Sequence, residues 1–315
     1  MKGDFVSDLS LGKKVLFPII VLGMMVGLLE LTGFGLRRFL GYRSGADVPA
    51  GTSEPVPADV FSVRCPERLG QPFDYRILAL GDSFTYGAGV AMEESYPAQL
   101  EQRLSGLVPD KRIAVLNGGR SGRNLADGAA ALDAALRCHR FDLVLWQLYR
   151  NDVDPSSDYY GRTMPFATRQ AVRLSRHSDL FYSLLHRILI PRWSEQYDEL
   201  LKEFYDSASD NWRRIERAFG EVSGAAGRTG VQVIVFVYPA VEFANARFIA
   251  EEAQLEAAAG AAGLETVSLR PEIWPDVESM KPFWASPEDR HPSSYAHSLV
   301  VEKLIAATGL VERIR

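Results

Sequence analysis

The stretch Gly81-Asp82-Ser83-Phe84-Thr85-Tyr86-Gly87 decides the fold. It follows the apolar run Ile77-Leu78-Ala79-Leu80 and precedes a segment of helical character between Tyr96 and Leu107. A short, wholly apolar run reads as a strand buried on both faces, and such strands belong to parallel sheets. A serine directly after one stands at the carboxyl end of the sheet, where open α/β folds build their crevice.

Four further apolar runs of strand length follow: Ile113 to Leu116, Leu143 to Leu148, Val231 to Val237 and Thr266 to Leu269, with helical segments between them. This alternation predicts an α/β chain with a central parallel five-stranded sheet between two helical layers. Two of these runs lead into blocks of polar and small residues, and a further block stands near the C-terminus. Asn117-Gly118-Gly119-Arg120-Ser121-Gly122 ends the second, Asn151-Asp152 follows the third, and Asp289-Arg290-His291-Pro292 lies ahead of a C-terminal helix.

These four blocks, in this order, resemble those of the SGNH/GDSL hydrolases, a family of serine esterases, lipases and related acyl-transfer enzymes. The resemblance covers about residues 73 to 310. It implies a three-layer α/β/α, flavodoxin-like fold. It also implies a nucleophile at Ser83, a base at His291, and oxyanion donors in the Ser83 and Gly122 backbone N–H groups and the Asn151 side chain. Two departures stand out. The family's common spacing is Asp-x-x-His, whereas here Glu288 stands three residues before His291 and Asp289 two before; Asp289 is the preferred acid and Glu288 the alternative. The glycine usual two residues before the asparagine is Tyr149, which bears on the shape of the pocket more than on the reaction.

The chemistry agrees with the residue types. A serine hydroxyl needs a base to become a nucleophile, and the other histidines, His139, His177, His186 and His297, lie outside the blocks. Arg120, Arg123 and Arg150 adjoin the blocks and either recognise a substrate anion or pair with Asp82, Asp127 or Asp152. Neither a metal-ligand pattern nor a phosphate loop with its lysine is present, so no cofactor is expected.

The chain has 315 residues, 47% hydrophobic and 24% charged, with a net charge of −5. That suits one large globular domain with appended pieces and gives no electrostatic footprint for nucleic acid. Near the N-terminus, Lys13 and Lys14 precede an apolar run from Val15 to Leu29 that extends, broken only by Glu30, to Leu36. Its 22 residues suffice to cross about 30 Å of hydrocarbon. With no small-x-small cleavage site after it, residues 1–40 are expected to be an uncleaved transmembrane anchor rather than a removed signal peptide. Lys2, Lys13 and Lys14 on one side nearly balance Arg37, Arg38 and Arg43 on the other. The signal-like order favours a catalytic domain outside the cytoplasm, on the periplasmic side.

Residues 41–72, rich in Gly, Pro, Ser and Ala, read as a linker, and 73–315 as the hydrolase domain with a helical insertion at about 154–195. Phe181, Leu184, Leu185 and Ile188 mark an inserted helix near the mouth of the site. Its neighbours Arg169, Arg173, Arg176 and Arg187 form either a solvated basic face or a membrane-facing lid. Cys65 and Cys138 are compatible with one disulfide or with two free thiols. The expected substrate is a small-molecule, lipid or glycan ester; polysaccharide O-acyl transfer and a catalytically silent envelope-binding protein are the alternatives.

Overall fold

The computed structural model describes residues 61–155, 190–240, 246–270, 281–286 and 289–315, together with Met24, Gly27, 165–167 and Gln170. The chain divides into two compact units, Met1–Ala50 with Met164–Glu195, and Gly51–Thr163 with Gln196–Arg315. The sheet and the site lie in the second.

Five parallel strands, β1 (Tyr75–Gly81), β2 (Ile113–Gly119), β3 (Leu143–Leu148), β4 (Gln232–Val237) and β5 (Glu265–Val267), are arranged in the order β2-β1-β3-β4-β5. The expected strand-helix alternation and parallel sheet are therefore present. The last strand ends at Val267, two residues before the expected limit, although Leu269 is still fully buried. The connection from β1 runs to one side and the next returns to the other, so the topological switch lies between β1 and β3. In open α/β sheets that is where ligands bind.

Side-chain alternation along the strands sends each strand's residues to two cores. On one face Ile77, Ala79, Leu143, Leu145, Ile234 and Phe236 pack with helices Tyr96–Leu107 and Ser294–Thr308 through Leu100, Leu104, Val300 and Leu304. On the other, Trp146 meets Phe219 of the crossover helix Asp210–Thr229, with ring centroids 5.6 Å apart. Helix starts follow local chemistry. The side chains of Asn124, Ser209 and Ser293 each accept a backbone N–H from the first turn of helices Leu125–Cys138, Asp210–Thr229 and Ser294–Thr308, supplying partners that the helix cannot.

Ordered packing begins before Phe73, which shortens the expected linker. Val63 is buried, and the Arg64 N–H donates to Asn117 O at 2.9 Å. The Arg64 guanidinium donates to Tyr86 O at 2.6 Å and lies over the Tyr86 ring. The cause is a few apolar and cationic side chains set in a Gly/Pro-rich context, which carry no periodicity yet find long-range partners. Cys65 and Cys138 are free thiols.

The apolar anchor expected at residues 15–36 lies outside the described residues apart from Met24 and Gly27. Among the described residues no helix is long and apolar enough to cross a membrane. The inserted helix expected around Phe181 to Ile188 likewise lies outside them, whereas Ile190–Phe204 and the crossover helix Asp210–Thr229 are present.

Candidate active site

Ser83 begins α1 (Ser83–Tyr86), a single helical turn set on the end of β1. Asp82 caps that turn: its Oδ1 accepts the Phe84 N–H at 2.9 Å. Underneath, Gln147 breaks the otherwise apolar run of β3. Its Oε1 accepts the Thr85 hydroxyl at 2.7 Å and the Thr85 N–H at 3.2 Å. With the Thr85 proton committed to Gln147, the Tyr96 hydroxyl donates to Thr85 Oγ1 at 3.0 Å. Such buried donors and acceptors are costly when left unpaired; these contacts pair Gln147 Oε1 with the Thr85 groups, while Gln147 Nε2 has no hydrogen-bond partner among the described residues.

The C-terminal loop brings the base to the serine. His291 Nε2 lies 3.0 Å from Ser83 Oγ, and His291 Nδ1 lies 2.6 Å from Asp289 Oδ1. An ionised carboxylate can only accept, so Nδ1 donates to Asp289 and Nε2 is left to accept the serine proton. The same Oδ1 also takes the His291 backbone N–H at 3.0 Å. This two-residue turn is what the Asp-x-His spacing makes possible: one oxygen orients both the ring and the peptide that carries it. The loop is tied to its surroundings by Ala285 N–H to His291 O, Ser293 N–H to Phe283 O and Asp289 N–H to Ser286 Oγ. Glu288, the alternative acid, lies outside the described residues.

Electrostatics favour a basic imidazole. Desolvation opposes the imidazolium, but the hydrogen bond and charge of Asp289, joined by the charge of Asp82, outweigh it and raise the His291 pKa. His297 is the opposite case. Burial, aided by the His291 charge, pushes it down to about 3, so it stays neutral beside Tyr238. His139 packs against Phe61 and Phe141; His177 and His186 lie outside the described residues.

Gly122 and Asn151 sit on the loops after β2 and β3, at the same carboxyl edge as Ser83. Arg123 N–H donates to Arg120 O at 3.1 Å, closing a turn with Gly122 third at φ 74°. A positive φ at the third position of a turn, as type II turns have, needs a residue tolerant of it. Asn151 lies in the single 3-10 turn Arg150–Val153, and its Oδ1 is buried without a hydrogen-bond partner among the described residues. The turn is braced by Asp152 Oδ2, which accepts the Tyr149 N–H at 2.9 Å, and by the Tyr205 hydroxyl, which donates to Arg150 O at 2.7 Å. Burial first, then repulsion from Asp82, holds Asp152 well above the usual carboxylate range. The Tyr149 ring lies 4.3 Å from that of Phe84, whose edge meets His291 at 5.7 Å.

The three arginines divide. Arg150 pairs with Glu251 at 2.8 Å and Asp198 at 2.6 Å and covers the Phe248 ring; Arg120 pairs with Asp127 at 3.3 Å. Arg123 takes backbone carbonyls instead.

A curated arylesterase from Vibrio mimicus is 25% identical to this chain over 136 residues, 43% of this chain and 66% of the relative. The chain is similar in sequence to this esterase. It spans just under two thirds of the length of the arylesterase it matches. No protein-family model matches the chain. Similar solved structures include an α/β hydrolase from the metagenome of Lake Arreo, Spain, with a TM-score of 0.48 and 17% identity over 75% of this chain and 96% of that one. TesA has a TM-score of 0.47 and 17% identity over 75% and 99%. A catalytic mutant of an acetylxylan esterase from Geobacillus stearothermophilus has 0.46 and 15% over 75% and 94%.

The motifs of the sequence did not signal Gly89. It adopts φ 82°, and a Cβ there would lie 2.6 Å from Ala285 Cβ and 2.8 Å from Asp289 Oδ2. The backbone of the loop after α1 thus buttresses the carboxylate that orients His291. Gly89→Ala is expected to push Asp289 away and lower the His291 pKa in an NMR titration; an unchanged titration curve would show that the buttress does not matter.

Proposed function

We propose that this SGNH/GDSL-type chain hydrolyses an acyl or acetyl ester, carried by an envelope carbohydrate or lipid, through an acyl-enzyme on Ser83. The observation that carries this reading is the unbroken relay from Ser83 Oγ through His291 to Asp289, at 3.0 Å and 2.6 Å. As Ser83 attacks the ester carbonyl, His291 Nε2 takes its proton, and Asp289 stabilises the imidazolium without itself being protonated. The oxygen of the tetrahedral intermediate is met by the Ser83 and Gly122 N–H groups and the Asn151 amide. Each such donor is worth roughly 10²- to 10³-fold in rate. His291 then protonates the leaving alcohol, and water, activated by the same imidazole, releases the acyl group.

The domain is placed outside the cytoplasm, on the periplasmic side, held to the membrane by residues 15–36. The apolar length of that segment and the lysines ahead of it support this placement.

Ser83→Ala is expected to lower p-nitrophenyl acetate turnover by at least about 10⁴-fold with an unchanged melting temperature; turnover retained in the purified variant sinks the assignment. Because the base must be neutral, kcat/KM rises with pH through the His291 pKa, and this acid limb should lie above the ordinary imidazole value of about 6.5. In Asp289→Asn the limb moves to lower pH and the plateau falls, whereas a limb that stays in place would remove Asp289 from the relay. For the location, carbonate-washed membranes of cells expressing the tagged chain should retain it, and protease added to spheroplasts should cut the domain. A chain recovered soluble, or protected from that protease, would exclude the placement.

A further inference from the structure

Arg123 is the residue whose surroundings its burial does not explain. It is 3% exposed, and its Nη1 donates to the carbonyls of Gly81, at 3.2 Å, and Gly118. Its Nε and Nη2 are buried without a hydrogen-bond partner among the described residues. Asp127, Asp152 and Asp82 are the carboxylates whose charge it feels, yet none forms an ion pair with it, and Asp127 is taken by Arg120. Burial, with repulsion from Arg120, pushes the guanidinium down to about 10, so it remains charged at neutral pH. A buried cation with orphaned N–H groups is destabilising, and an apolar side chain of similar length is often as good or better for stability.

What the guanidinium touches supplies a reason for keeping it. Gly81 is the last residue of β1 and stands opposite Gly119 in the β1–β2 ladder. Its carbonyl lies immediately upstream of Asp82 and Ser83, and it accepts both the Arg123 guanidinium and the Arg120 N–H, the latter at 3.1 Å. Arg120 and Arg123 are the first and last residues of the turn that presents Gly122. Gly118, the other acceptor, belongs to the last stretch of β2. One side chain therefore fastens the peptide that launches the nucleophile to the loop that carries a second oxyanion donor.

We propose that Arg123 is a positioning residue for the acyl-transfer site, clamping the carboxyl ends of β1 and β2 so that the Ser83 and Gly122 N–H groups converge on one oxyanion. The proposal rests on the ester-hydrolase reading for its activity readout, but the clamp itself is a statement about two amides. It acts on the transition state more than on substrate binding, because the oxyanion forms only after attack.

The test compares Arg123→Met and Arg123→Lys with the wild-type full chain. For Arg123→Met, kcat for p-nitrophenyl acetate should fall about 10- to 100-fold, KM should stay within about twofold, and the urea midpoint should be equal or higher. Arg123→Lys, with the charge but without the fork, should recover part of kcat. Hydrogen exchange at the Ser83 and Gly122 amides should quicken in Arg123→Met while the core strands keep their protection. Undiminished kcat in Arg123→Met overturns the proposal, as does a loss of kcat that follows a lowered urea midpoint in both variants. If the wild-type chain neither turns over esters nor is labelled at Ser83 by a fluorophosphonate, the hydrolase reading fails by itself. The clamp is then judged on exchange alone: quickened Ser83 and Gly122 amides uphold it, and unchanged ones overturn it.

Discussion

The turn from β1 into α1 is enclosed by protein, so its polar groups must find their partners inside the fold. Gly81 and Asp82 are buried, and the segment cannot borrow water to satisfy its peptides. Its solution combines one local side chain, Asp82 capping Phe84, with two from distant parts of the chain: Gln147 accepts from Thr85, and Arg123 donates to Gly81. Each bond removes a freedom from Ser83. The rigidity that a nucleophile needs therefore has the same origin as the satisfaction of a buried turn.

The candidate base and acid are organised by a different principle. His291 and Asp289 lie two residues apart on a loop tied to its surroundings, so most of their mutual geometry is local and survives any small shift of the sheet. What remains to be set is one distance, from Nε2 to Ser83 Oγ, and that depends on the packing of helix Ser294–Thr308 against helix Tyr96–Leu107 and the sheet. Aromatic contact supports it, since Phe84, the residue after the nucleophile, packs its ring against His291, Tyr149 and Tyr238. Moving the serine moves the aromatic wall beside its base.

Charge is distributed unevenly around this centre. Asp82 and Asp152 are both buried and both held above the usual carboxylate range by desolvation, and each is favoured in its ionised form by a backbone N–H. Arg150, by contrast, pairs with two carboxylates, Asp198 and Glu251, leaving only its Nη2 without a partner among the described residues, and with Arg247 ties the loop after β3 to helix Ala246–Ala261. Arg123, whose guanidinium reaches the Gly81 carbonyl just before Ser83, is thus not the best paired one. That contrast separates an arginine that braces the scaffold from one placed at the edge of the chemistry.

Ser83, Asn151 and His291 were legible as candidates because acyl-transfer chemistry demands those residue types at the ends of particular strands, and the strands announce themselves as apolar runs. The strand order was not legible run by run, because pairing depends on which helices cover which face. The sequence offered Asp289 as the preferred acid and Glu288 as the alternative; the folded loop puts Asp289 on the imidazole through a turn shared with the His291 peptide. Gln147 carried a faint signal, a lone amide in an apolar strand, but its partners lie 62 and 65 residues away. Gly89 carried none, since it is defined by the space that its missing side chain leaves for Asp289, and Arg123 stood out only as a neighbour of a block, while its partners are carbonyls at the ends of two strands. The sequence by itself determined the parallel α/β architecture and the candidate reactive groups, because burial and bond chemistry act on residue type. Only the tertiary structure decided which carboxylate faces the histidine and which arginine holds the nucleophile's strand, because those choices depend on distances that exist only once the strands are side by side.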